Sequence, residues 1–244
     1  MKQENYSVKS PKLVDLVIPI HNRLELTKQT LQSLQDHTNP DLYNLYLVDD
    51  VSTDGTREYL DVHKKLIPIF FNEENIGPGA SRNMVAKWIT DKNLRSTFLY
   101  HSDSDVYFKE GWLEKLIETF LLAEPYGIKL LGAGCHPYLQ NKEVVKLDNN
   151  FQVGIKDAVS GYSQLVRWET WDHYGNFDES MRGQEKKIAG SEDWAYCQKI
   201  VAEAYKVGSI EPELVVHCGK TNTYNEPATG VETFGESTEE YKII

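Results

Sequence analysis

The chain has 244 residues, with 26 Lys and Arg against 37 Asp and Glu and a formal net charge of -11. A surface of that sign repels polyphosphate backbones, so nucleic acid is not an expected partner. Three scattered cysteines are too few for a disulfide framework or a zinc site, which favours the cytoplasm, in solution or at the membrane surface. No apolar run reaches about 18 residues and the polar start lacks a signal core, so we expect no integral membrane segment and no secretory leader.

Alternating strand and helix patterns predict an α/β fold with a mostly parallel sheet and covering helices. The predicted strands include residues 13–18, 45–48, 67–71, 97–100 and 128–131. Pro19 is expected to stop the first strand, and Pro68 predicts an edge or strand-start position for the third. Residues 135–165 lack clear periodicity and predict short strands and loops, with a further strand after residues 157–161.

Apolar residues at helical spacing predict the covering helices. Asn22 and Glu25 have the spacing of a capping box at the start of the first helix. Pro78 fits the first turn of another helix. Further helices are expected at residues 56–63, from residue 112, and from 192 to about 205 with Ser191 as the cap.

The domain organisation follows from the absence of an internal repeat or a linker. We expect one domain at residues 13–219, preceded by an N-terminal extension at residues 1–12. Residues 220–244 are polar and acidic, which predicts a tail or a lid.

Polar residues follow three of the predicted strands, where ligands bind in open parallel sheets. The first strand leads into residues 19–22, the second ends in Asp49 and Asp50, and the fourth leads into Asp103 and Asp105. Each site alone could simply cap a helix, but together they favour one crevice. Two hard oxygen ligands in a tight turn, with no cysteine nearby, suit Mg²⁺ or Mn²⁺.

Several sequence blocks occur in a characteristic order. They are residues 17–23 (VIPIHNR), 48–56 (VDDVSTDGT), 75–83 (NIGPGASRN), 103–105 (DSD), 175–179 (GNFDE) and 192–194 (EDW). In order and spacing these blocks resemble the family 2 glycosyltransferases. The resemblance implies a GT-A fold with a Rossmann-like sheet, a nucleoside-diphosphate sugar donor, most often UDP-linked, and inversion at the anomeric carbon.

The resemblance also implies a set of donor-binding residues. By position these are Pro19, His21, Asn22, Asp50, Gly77, Arg82 and Asp103. Asp50 is expected to accept a hydrogen bond from the base, and Arg82 to stabilise the nucleotide end of the site. The alternative for Arg82 is an ion pair with Asp49 or Asp50.

Three residues are implied as metal ligands. Asp105 is expected to be the principal ligand of Mn²⁺ or Mg²⁺, with Asp103 contacting the metal or the ribose. His217 follows an apolar run and could complete the coordination. Its alternative is a solvent-facing histidine at a strand end.

The candidate general base is Asp193, with Glu192 in reserve. A cap at Ser191 would place both carboxylates in the first helical turn, where unpaired amides and the helix dipole favour the ionised form. An ionised carboxylate could accept the proton of a sugar hydroxyl. The alternative is that both acids only stabilise the helix start.

The acceptor is expected to be a glycan, a lipid-linked sugar or a small molecule. Trp168, Trp171 and Tyr174 could line its pocket, although their spacing equally fits one buried helix face. The oligomeric state stays open.

Other functions are weighed against this one. A nucleotidyltransferase would need a glycine-rich basic loop after the first strand, and residues 19–24 contain no glycine. A dinucleotide-dependent oxidoreductase is disfavoured because residues 77–82 follow the third strand and lack the last glycine of that fingerprint. A catalytically inactive sugar-nucleotide-binding protein is the third alternative.

Overall fold

A computed structural model describes residues 12–147, 150–181 and 192–219. Its strands are β1 (Val14–Ile20), β2 (Tyr43–Asp49), β3 (Ile69–Phe71), β4 (Phe98–Ser102), β5 (Val106–Phe108), β6 (Ile128–Gly132), β7 (Glu143–Lys146), β8 (Gln152–Lys156), β9 (Ser163–Arg167), β10 (Lys206–Glu211) and β11 (Val215–His217). Its helices are α1 (Leu24–His37), α2 (Thr56–Asp61), α3 (Pro78–Asp91), α4 (Trp112–Ala123), α5 (Trp168–Tyr174) and α6 (Glu192–Ala202).

Most strands form one large sheet in the order β3-β2-β1-β4-β9-β6-β10-β8-β7. Neighbours pair in parallel from β3 to β4, and β6 pairs in parallel with β10. Strands β9 and β8 run against their neighbours. A short antiparallel ribbon, β5 with β11, stands apart from the sheet. The predicted mostly parallel sheet and the edge position of the third strand are therefore confirmed.

Helices cover both faces of the sheet. Helices α1, α2 and α4 share one apolar cluster with the sheet, and α3, α5 and α6 share the other. Strands buried on both faces need nearly continuous apolar sequence, which β1 has. Trp168 and Trp171 are buried in the second cluster and Tyr174 packs against it, so the core alternative is confirmed for these rings.

We expected the first strand to stop at Pro19. In the structure it continues to Ile20. Pairing with β2 extends along the whole strand, whereas pairing with β4 ends at Val17. At Pro19, β1 therefore pairs only with β2, and the side that faces β4 forms no backbone hydrogen-bond ladder. A residue without an amide hydrogen is tolerated at such a position.

The predicted capping role of Asn22 is wrong. Both Asn22 and Arg23 have left-handed backbones, with φ near 59° and 63°, and α1 starts one residue later. The Asn22 side-chain oxygen accepts from the Thr53 amide at 2.8 Å instead. Asp54 supplies the cap, since its carboxylate accepts from the Leu24 amide at 2.9 Å. The helix start is thus stabilised by a loop distant in sequence.

Some expectations fall outside the described residues: the capping role of Ser191, the extension before Lys12, and the tail from residue 220. Helix α6 ends at Ala202 rather than near residue 205. Across the part of the chain that the structure describes, no helix is long and apolar enough to span a bilayer.

Candidate active site

The predicted site residues gather at one edge of the sheet. Strands β1, β2 and β4 are parallel neighbours, so the segments that follow them emerge side by side. These segments carry the residues singled out at positions 19–22, 49–50 and 103–105. The placement is the crevice expected for ligands of an open α/β sheet.

Asp50 organises the loop that leads into α3. One carboxylate oxygen accepts from Asn72 (2.8 Å) and the Ile76 amide (2.9 Å), and the other accepts from the Gly77 amide (2.8 Å). Gly77 has a φ of 85°, a backbone conformation that favours glycine. His21 donates from Nδ1 to the Asp50 carbonyl at 2.7 Å. These contacts hold the start of α3 beside the loop after β1.

The metal-ligand candidates lie together. Asp103, Asp105 and His217 each offer a ligand atom, and these atoms lie within 4.8 Å of one another. Pairing of β11 with β5 sets His217 opposite Val106, next to Asp105. The Cys218 amide then donates to the Asp105 carbonyl at 2.7 Å. The late histidine is thus not merely a solvent-facing strand end, because its imidazole faces the acidic turn.

Positively charged groups lie close to the two carboxylates of the cluster. Burial would raise the pKa of Asp105, but the hydrogen bond to His217 and the charges of His217 and Arg23 outweigh it and lower that pKa. Burial would lower the pKa of His217, but its hydrogen bond to Asp105 and the nearby carboxylates raise it. Burial raises the pKa of Asp103 against the opposing charge of Arg82. Arg23 forms an ion pair with Asp105. The turn therefore attracts positive charge.

Arg82 is a buried link between the two sides of the site. Its guanidinium pairs with Asp103 at 2.5 Å and lies 3.6 Å from the Glu192 carboxylate. It also donates to the Ser102 and Gly161 carbonyl oxygens at 3.3 and 3.2 Å. Only 2% of Arg82 is exposed, so in this state its contacts are with the protein.

The expected alternative for Arg82, an ion pair with Asp49 or Asp50, is wrong. Asp49 pairs with Arg57 at 2.7 Å, and Asp50 is bound by backbone amides and an asparagine. Arg82 lies on the side of α3 that faces β4, so it meets the acid that follows β4 instead.

The base candidates lie at the start of α6. Asp193 accepts from the Gly161 amide at 2.8 Å through one oxygen, and from the Trp194 amide at 2.9 Å through the other. Glu192 approaches the start of α3 so closely that a Cβ on Gly79 would collide with its carboxylate. Asp193 thus binds the loop that Arg82 also contacts, whereas the Glu192 carboxylate lies near the Arg82 guanidinium itself.

The residues that surround the cluster fit a divalent metal ion. Two carboxylates and one imidazole supply hard oxygens and a nitrogen in one turn and one strand end. A Cβ on Gly219 would collide with Asp105, so the backbone closes tightly over the acidic turn. The donor set leaves coordination positions for water or phosphate oxygens.

Two contributors were not singled out from the sequence. Arg23 belongs to a quoted block, but no role was predicted for it. Its left-handed backbone depends on the distant loop around Asp54, and this contact could not be read from the local sequence. Gly161 was noted only as part of a strand lead-in. Its amide and carbonyl bind Asp193 and Arg82, which no sequence spacing indicates.

Solved structures share this fold. GalNAc-T7, crystallised with UDP, GalNAc and Mn²⁺, superposes with a TM-score of 0.64 at 17% identity, over 86% of this chain and 44% of that one. S. aureus TarS 1-349 in complex with UDP-GlcNAc superposes with a TM-score of 0.59 at 18% identity, over 86% of this chain and 59% of that one. The fold is therefore similar to that of GT-A glycosyltransferase structures, as expected from the sequence.

Sequence comparison specifies the family. Residues 15–129 match the model described as Glycosyl transferase family 2. This range contains four of the six sequence blocks named above, so this part of the chain carries a glycosyltransferase family 2 domain. An uncharacterized glycosyltransferase of Rickettsia conorii, RC0461, is 30% identical over 225 residues, 88% of this chain and 34% of that protein. The chain spans less than half the length of the curated relatives it matches.

Proposed function

We propose that this chain transfers a sugar from a nucleoside-diphosphate donor to an acceptor hydroxyl, with inversion and with a divalent metal ion. The observation that carries the proposal is the convergence of Asp103, Asp105 and His217 beside a carboxylate, Asp193, that is held by a separate loop. A cation site and a separate base are the two elements that such a transfer requires.

The metal ion would be held by Asp103, Asp105 and His217. When bound, it supplies positive charge that stabilises the leaving diphosphate. Mg²⁺ prefers oxygen ligands, whereas an imidazole in the set favours a transition metal, so Mn²⁺ is the better candidate. GalNAc-T7, which shares the fold, was crystallised with Mn²⁺.

Asp193 would accept the proton of the acceptor hydroxyl. Each of its oxygens accepts one backbone amide hydrogen bond, which fixes the carboxylate and leaves a lone pair on each oxygen for the proton. The acceptor oxygen then attacks the anomeric carbon while the bond to the diphosphate breaks. A single direct displacement inverts that carbon.

The donor would lie across the loops after β1 and β2. Pro19, His21 and Asn22 surround this part of the edge, and Asp50 fixes the loop before α3. Contacts with a donor stay predictions, including the base contact of Asp50. A UDP-sugar is the favoured donor because both solved structures named above were crystallised with UDP or a UDP-sugar. A cytoplasmic location, in solution or at a membrane surface, likewise stays a prediction of the sequence.

Nucleotide release tests the proposal. The full chain is incubated with UDP-, GDP- and dTDP-sugars and Mn²⁺, with and without a chelator. We expect chelator-sensitive release of nucleoside diphosphate, fastest with a UDP-sugar. Release of pyrophosphate from a sugar phosphate and a nucleoside triphosphate would instead identify a nucleotidyltransferase. Donor binding without turnover, with every acceptor tried, would identify an inactive sugar-nucleotide-binding protein.

A further inference from the structure

A polar cavity of about 240 Å³ lies among residues 135–213, outside the predicted donor loops. Its walls come from the turn at residues 135–141 and from strands β8 and β10. The lining residues used below are His136, Asn141, Lys156, Ser209, Glu211 and Glu213. Drug-sized ligand sites measure roughly 300–1,000 Å³, so this cavity suits a smaller group such as one sugar ring.

Small residues on adjacent strands create the cavity. Ser209 of β10 pairs with Gly154 of β8, so their side chains share one face of the sheet. Asn141 lies directly on Gly154, where a Cβ would collide with the asparagine amide. The turn is thereby drawn over the sheet beside Ser209 and leaves space next to it.

Two buried polar groups in the cavity retain hydrogen-bonding capacity. Lys156 is 8% exposed, and its ammonium donates to the Leu139 carbonyl and the Asn141 side-chain oxygen, both at 2.7 Å. Both acceptors are neutral, and a third N–H is left. Ser209 is 3% exposed, and no hydrogen bond joins its hydroxyl to another group among the residues that the structure describes. Buried donors in that state point to a polar ligand.

The cavity adjoins the proposed base. The His136 amide donates to the Ser160 hydroxyl at 3.1 Å, and the next residue, Gly161, donates to Asp193. The His136 ring also contacts the ring of His217, with centroids 5.0 Å apart. A molecule with one hydroxyl at Asp193 could therefore extend past His136 into the cavity.

We propose that this cavity is an acceptor subsite for an uncharged, hydroxyl-rich sugar unit next to the one that receives the transferred sugar. The inference rests on the proposed function. Hydroxyls both donate and accept, and the cavity offers donors at Lys156 and Ser209 and acceptors at Glu211 and Glu213. Two carboxylates against one ammonium disfavour an anionic unit.

The test uses the full chain, a UDP-sugar, Mn²⁺ and a panel of neutral di- and trisaccharides, with matched sugars that carry uronate or phosphate. Ser209→Val fills the cavity and keeps a residue suited to a strand. Glu213→Arg adds bulk and charge at an exposed position at the rim, so it leaves the fold undisturbed. Lys146→Met on exposed β7 is the matched control for Lys156→Met within the same hairpin.

We expect neutral oligosaccharides to stimulate nucleotide release by the wild type. Ser209→Val, Glu213→Arg and Lys156→Met should each raise the KM for them about tenfold or more, which is about 1.4 kcal/mol. Release in the absence of acceptor should be unchanged in all variants, and Lys146→Met should behave as the wild type.

Several results would overturn the subsite. They are stimulation by the anionic panel members alone, no stimulation by any member, and an unchanged KM in the folded Glu213→Arg and Ser209→Val variants. Failure of the proposed function has a different signature, because the wild type would then release no nucleotide even without acceptor. In that case ligand-observed NMR measures the binding of neutral oligosaccharides to the wild type and to Ser209→Val. Binding by the wild type that is lost in Ser209→Val would support the subsite, and equal binding by both would overturn it.

Discussion

Buried acids in one half of the sheet and two buried polar residues in the other half differ in how fully the protein occupies their hydrogen-bonding groups. In the half built from β1, β2, β3 and β4, the buried acids are bound by protein groups, as Asp50 is by two amides and an asparagine. In the half built from β6, β8 and β10, Lys156 and Ser209 keep unused donors beside a cavity. The metal-ligand candidates and Asp193 lie between the halves.

The two halves also differ in whether the family match covers them. The family match covers residues 15–129 and so contains the whole first half. The cavity walls lie beyond residue 129. We call the first half the donor half, because the donor is proposed to lie across its loops. The proposed acceptor subsite therefore lies in a part of the chain that the family model does not match.

The largest expected effect is at the boundary between the halves. Asp193→Asn removes the proposed base and should lower sugar transfer by about 10²–10⁴-fold, while the donor Kd stays unchanged. Glu192→Gln, one residue away, should lower transfer far less, because its carboxylate faces Arg82. Transfer rates and isothermal titration with UDP would check this. Equal losses in the two variants would reject Asp193 as the base.

Arg82 ties the donor half to the loop that holds the base. Arg82→Met removes the buried partner of Asp103, whose side chain is 36% exposed and can still reach water. It also leaves the carbonyl oxygens that Arg82 binds without this donor, so the free energy of unfolding should fall by about 1–3 kcal/mol. Arg95 forms a more exposed pair with Asp172, so Arg95→Met should cost about 1 kcal/mol or less from that pair. Urea unfolding measures both. A small loss for Arg82→Met would mean that the halves are held together by other contacts.

The three hydrogen bonds that Asp50 accepts predict an effect on the stability of the donor half. Asp50→Asn keeps one acceptor oxygen where the carboxylate serves three hydrogen bonds, so the free energy of unfolding should fall by about 1–3 kcal/mol. The UDP affinity should fall with it, because the loop before α3 loosens. Thermal unfolding with and without UDP separates the two effects. An unchanged stability would show that these hydrogen bonds are replaceable.

The smallest effect concerns pH. The pKa of His217 is raised by Asp105 and Asp103 despite burial, so the imidazole holds its proton over a wider pH range. A protonated imidazole cannot bind a metal ion, so Mn²⁺ affinity should fall as pH falls through that raised pKa, by about tenfold between pH 8 and pH 6. Mn²⁺ titrations of His217→Ala should show a weaker dependence. An equal dependence in both proteins would place the titrating group elsewhere.

Much of the donor half could be predicted from the sequence. Apolar runs that end in Asp49, Asp50 and Asp103 mark strands and their loops because the signal is local. The same reasoning failed at Pro19 and Asn22, since the end of pairing with β4 and the contacts of Thr53 and Asp54 are set by distant segments. Local pattern predicts elements, and partners across the sheet decide their ends.

The other parts of the site were harder to predict from the sequence. Strands β5 and β11 have three residues each, too short for an apolar period to identify, yet their pairing brings His217 to Asp105. The cavity depends on the register of Ser209 with Gly154, which no single segment reveals. Arg82 was predicted as a site residue, which stays a prediction. Its partner Asp103 was not foreseen, because helix orientation decides which acid it meets.

The central claim is that the turn with Asp103 and Asp105 and the distant His217 form one cation site, and Mn²⁺ binding tests it most directly. The full chain is titrated with Mn²⁺ in the presence of UDP and followed by electron paramagnetic resonance, as wild type, as Asp105→Asn, and as Asp41→Asn, an exposed control. We predict a single tightly bound Mn²⁺ in the wild type and the control, and its loss in Asp105→Asn with the fold intact. Equal Mn²⁺ binding by all three proteins would contradict the account.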